Sequence, residues 1–81
     1  MIVWRYLLTN KQDLIRLFGE VTDSAYGFKV GNIYIRFDGG VTLVIYAENQ
    51  EKEAELRAKM LENYYNFLGI DRHIIRCNWI N

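Results

Sequence analysis

Eighty-one residues carry ten basic and ten acidic side chains, so the net charge is zero and a strong long-range pull toward nucleic acid or anionic membrane is excluded. With 51% apolar and 15% aromatic residues, disorder is excluded as well, and one small domain over residues 1–81 is expected. A lone cysteine, Cys77, excludes an intramolecular disulfide and fits a reducing, cytoplasmic setting.

The opening MIVWRYLLTNKQD carries Arg5 and no small-residue cleavage site, so no secretory leader is expected. No apolar run approaches the ~20 residues of a membrane span. Ile2–Leu8 reads as a β-rich first strand. Thr9 and Gln12 then have capping-box spacing for a first helix, whose apolar side is Leu14, Ile15, Leu17 and Phe18 and whose stop is Gly19.

From Glu20 the period changes to two. Tyr26–Val30 is a possible extra strand, and Gly31-Asn32 suits a tight turn. Ile33, Ile35 and Phe37 alternate with Tyr34, Arg36 and Asp38. Gly39-Gly40 permits a two-residue hairpin, and Val41–Ala47 returns as a strand apolar on both faces. Asn49 opens a long helix with Glu51 and Glu53 in its first turn. The stripe Ala54, Ala58, Leu61, Tyr65, Leu68 follows, and then Gly69, with Ile70 closing back on Tyr65. Arg72–Ile80 is the last strand.

The order is β-α-β-β-α-β. It implies an α+β, ferredoxin-like sandwich: an antiparallel sheet with two helices on one face, Ile2–Leu8 and Val41–Ala47 being central.

Catalytic residue types are sparse. His73 and Cys77 share a strand face with Asp71, yet residues four apart on a strand lie ~13 Å apart, too far for a thiol and its base. Cys77 alternates with Ile75 and Trp79 as a core face does. One His and one Cys do not make a zinc site, and the glycines of YGFKVG precede a strand rather than a helix. No metal, no cofactor and no enzymatic activity are expected.

The element order is similar to that of RNA-recognition-motif domains, with Trp4 or Tyr6 and Tyr46 at comparable positions. VTLVIYA replaces that family's Gly-Phe-rich signature. The middle α-β-β-β-α portion is similar in outline to double-stranded-RNA-binding domains, with acidic NQEKEAE where that family opens its last helix with lysines. No family is assigned on these grounds.

Two surfaces carry the functional expectation. If Ile33, Ile35, Phe37, Leu43, Ile45, Ile75, Cys77 and Trp79 face the helices, the open face receives Tyr34, Arg36, Val44, Tyr46, Arg72, Ile74 and Arg76, joined by Val3, Arg5 and Leu7. Four of the six arginines would then share one face with two tyrosines, a composition suited to protein or single-stranded nucleic acid. The second surface is a strip of Leu56, Met60, Tyr64 and Phe67 beside the long helix's core stripe, to be covered either by the first helix or by a partner. The expectation is a non-catalytic interaction module, accessory or regulatory, that forms a homodimer. Single-stranded nucleic-acid binding through the sheet face is the alternative.

Overall fold

Glycine and asparagine turns set the frame. A computed structural model describes residues 11–80; the strand expected over Ile2–Leu8, the Thr9 cap and Arg5 lie outside them. Helix α1 is Lys11–Phe18, followed by strands β1 Thr22–Ser24, β2 Gly27–Val30, β3 Ile33–Asp38 and β4 Val41–Ala47. These four strands form a meander, each antiparallel to the next. At the β2–β3 turn, Gly31 takes a φ of 62°, and a Cβ there would collide with the Glu53 carboxylate. That carboxylate instead accepts the Asn32 N–H at 3.2 Å and ties the turn to the next helix.

Helix α2 is Glu51–Leu68. Asn49 turns the chain with a φ of 74°, and Gln50 Oε1 accepts the Ala47 N–H at 2.7 Å. At the far end Gly69 is left-handed, and the Ile70 N–H reaches the Tyr65 carbonyl at 2.8 Å, the expected closure. Strand β5, His73–Ile80, then pairs parallel with β4, from Val41↔His73 to Ile45↔Cys77, before the register shifts.

The ferredoxin-like, purely antiparallel expectation is therefore corrected. Among the described residues the fold is α+β with a five-stranded mixed sheet, order β1-β2-β3-β4-β5, and two helices. A long helix between two strands returns the chain to its starting end, and the second strand then lies parallel to the first. Here β5 sits directly against β4, where the expected topology places another strand between them.

Pairing also fixes the faces. Ile35 opposes Val44 and Val44 opposes Arg76, so Ile33, Ile35, Thr42, Val44, Ile74 and Arg76 share one face. Leu14, Val30, Ile33, Ile35 and Val44 form one buried cluster there with Ala54, Ala58, Leu61 and Tyr65, which places both helices on that side. The expected parity holds in β3 and is reversed in β4 and β5. Leu43, Ile45, Ile75 and Cys77 lie on the face away from α2.

A polar network explains the reversal. Thr42 is fully buried facing α2, and its hydroxyl shares a hydrogen bond with Tyr65 Oη. Arg72 Nε donates to Thr42 Oγ1 at 2.7 Å and Nη2 to the Val41 carbonyl at 3.0 Å, while its guanidinium lies 5.3 Å from the Phe37 ring centre. Burial raises the Tyr65 pKa above its ordinary value, partly offset by the Thr42 hydrogen bond and the Arg72 charge.

Thr42→Val is expected to cost about 1–3 kcal/mol in urea denaturation, because it strands buried partners, and less in a Tyr65→Phe background. Above pH 10 the unfolded Tyr65 loses its proton before the folded one, so stability falls as pH rises. Tyr65→Phe should make that alkaline decline shallower.

Candidate interaction surface

The Arg/Tyr face read from the sequence is not assembled. Tyr34 and Arg36 lie on the face away from α2, whereas Val44, Tyr46, Arg72, Ile74 and Arg76 lie on the α2 side. Arg76 Nε donates to Glu55 Oε1 at 2.5 Å, and Arg72 is held in the Thr42 network. What remains beside Tyr34 is Tyr26, edge-on at 5.3 Å between ring centres, and Lys29, 5.9 Å above the Tyr34 ring. That face also carries Arg36, Asp38 and His73, and its apolar part is Leu43, Ile75 and Cys77 around the buried Ile45. Cys77, expected in the core, is half-buried on this outer side.

His73 and Cys77 do share that face, being paired with Val41 and Ile45, four residues apart along β4. Among the described residues no cluster of three His, Cys, Asp or Glu side chains could hold a metal. A polar groove of about 300 Å³ lies against Tyr65, between Glu62 and Asn66 of α2 and Arg72 and Arg76. Its arginines are already bonded within the chain.

The second expected surface is assembled. The core stripe of α2 faces the sheet with two alanines, Ala54 and Ala58, that let the helix sit close. At about 100° per residue, Leu56, Met60 and Phe67 fall on nearly the opposite side. Phe67 is 82% exposed and Leu56 56%. Tyr64 and Phe67, one turn apart, stack with ring centres 6.5 Å apart and planes at 13°. Leu17 of α1 joins Met60, Asn63, Tyr64 and Phe67 around a shallow, mainly apolar groove of about 310 Å³. Helix α1 thus covers only one flank of the strip. Leu17 and Asn63 are members that the helical period of α2 alone did not single out: Leu17 belongs to another element, and Asn63 is polar.

No family model, curated protein or solved structure matches this chain. Among the described residues no helix is long and apolar enough to cross a membrane.

Cys77→Ser is expected to lower stability by less than about 1 kcal/mol, as at a partly exposed position. Alkylation of the native thiol, faster than unfolding, checks the same placement independently.

Proposed function

We propose that the chain is a non-catalytic protein-interaction module, an accessory or regulatory factor acting inside a cell, that binds a second copy of itself through the outward strip of α2. The observation that carries this reading is Phe67. A phenylalanine that exposed, stacked on Tyr64 and continuing a strip that runs back through Met60 toward Leu56, is part of an apolar patch rather than a scattered surface residue. The strip is also self-complementary, since a projecting aromatic ring stands beside a groove large enough to receive one. Two copies related by a twofold axis would each place Phe67 in the other's groove.

The nucleic-acid alternative relied on arginines and tyrosines sharing the open sheet face. Arg72 and Arg76 point toward α2 instead and have partners there, so the protein-interaction reading is the better supported one.

Met60→Glu combined with Phe67→Glu is expected to halve the particle mass in light scattering while leaving the circular dichroism spectrum and melting transition in place. Phe67 contributes almost nothing to the core, so a folded variant of unchanged mass would refute the reading.

A further inference from the structure

Of the aspartates and asparagines in the chain, Asp38 alone is followed by glycine. An aspartate can close a ring onto the peptide nitrogen that follows it, and a neighbour without a Cβ leaves that nitrogen unshielded. The Asp38-Gly39 step stands at the tip of the β3–β4 hairpin, where Asp38, Gly39 and Gly40 are all exposed. Gly39 takes a φ of 60°, and beyond the adjacent residues no described atom lies within 4 Å of a Cβ placed on either glycine. Asp13 and Asp23 are held by Arg16 at 2.7 Å and Lys11 at 3.4 Å. Among the described residues no hydrogen bond or ion pair holds the Asp38 carboxyl group.

Folding restrains this step in one way. In an extended strand the Gly39 nitrogen is turned away from the Asp38 side chain, so ring closure requires the Asp38 ψ to leave the strand range. That motion breaks Asp38↔Val41, the last pair of the β3–β4 ladder. Beyond that pair, the tip is tied to β5 by a long hydrogen bond, from the His73 N–H to the Gly40 carbonyl at 3.3 Å. A terminal pair opens at the low end of local-unfolding free energies, far below global unfolding.

We propose that Asp38-Gly39 is a site of spontaneous isomerisation in the folded chain, and that its product loosens the junction of β4 with β5. The Gly39 nitrogen attacks Cγ of the Asp38 carboxylic acid and a new N–Cγ bond forms. The Gly39 amide proton and the carboxyl hydroxyl leave together as water, closing a succinimide. Water then adds to either ring carbonyl. Addition at Cγ restores aspartate. Addition at the main-chain carbonyl carbon breaks its bond to the Gly39 nitrogen, and the chain then runs through Cβ and Cγ as isoaspartate. The product's main chain is longer by one carbon and carries a free carboxylate on Cα. That extra carbon displaces Val41 from its place opposite Asp38. Val41 is where β5 begins to pair, at His73, and its carbonyl accepts the Arg72 Nη2 hydrogen bond at 3.0 Å.

The test incubates the folded full chain in buffer and, in parallel, in urea, and then digests both. The peptide containing Asp38 should split into two species of equal mass, with a transient third lighter by one water. The new species of equal mass should accept a methyl group from an isoaspartyl methyltransferase. Conversion in the folded chain should run within about a hundredfold of that in urea, since opening of the tip suffices. It should slow from mildly acid to neutral pH, because water leaves from the protonated carboxyl group. Asp38→Glu, which keeps the charge at an exposed position, should abolish methyl acceptance at this peptide. The purified isoaspartyl form should unfold at a lower urea concentration than its parent. Conversion more than about a hundredfold slower in the folded chain than in urea would overturn the proposal, by showing that only global unfolding exposes the step. So would unchanged methyl acceptance in Asp38→Glu, or an isoaspartyl form as stable as its parent.

Discussion

Thr42 decides which way the centre of the sheet faces. Buried against α2, its hydroxyl is satisfied by Tyr65 from the helix and by Arg72 from the approach to β5. Turning β4 over would place Leu43 and Ile45 under α2 but leave the Tyr65 hydroxyl and the Arg72 guanidinium without these partners. An unpaired buried polar group costs about 1–3 kcal/mol, comparable to the gain from burying one more aliphatic side chain. The network joins three consecutive elements, β4, α2 and the start of β5, and so fixes their mutual register. Arg76 follows from the same parity, reaching across to Glu55 on the exposed flank of α2.

That register also determines what the surface offers. With Thr42, Val44 and Ile74 turned inward, Leu43, Ile75 and Cys77 are left on the outer face. Parallel pairs are commonly apolar on both faces because both are commonly covered. In β4 and β5 only one face lies under α2. The apolar content that the sequence devotes to these strands therefore exceeds what α2 covers. The outward strip of α2 repeats the pattern on the other side of the helix, where α1 reaches Tyr64 and Met60 through Leu17 and leaves Phe67 uncovered. Apolar surface on two separate elements, with no net charge to keep copies apart, is what supports the proposal of self-association.

Much of this was legible in the residues. Gly19, Gly31-Asn32, Gly39-Gly40 and Gly69 marked where elements end, and Ile33–Asp38 alternated cleanly enough to give its face correctly. VTLVIYA and HIIRCNWI did not, because both parities are apolar and period-two patterning carries no information about which side a helix will take. Choosing the parity richer in leucine and isoleucine placed Thr42 outside, since a single threonine gives no local sign of partners at positions 65 and 72. The short β1 strand, TDS, has no apolar pattern at all and forms through pairing with β2. The strip of α2 was readable because a helix of 18 residues repeats its period often enough to separate two stripes. The adjacency of β5 to β4 was not, because strand order is a property of chain return rather than of local composition.

Sedimentation equilibrium of the unmodified chain over a wide range of concentration tests self-association most directly. A mass that rises from that of the monomer toward a whole multiple of it is expected. A monomer mass at every concentration would contradict the account.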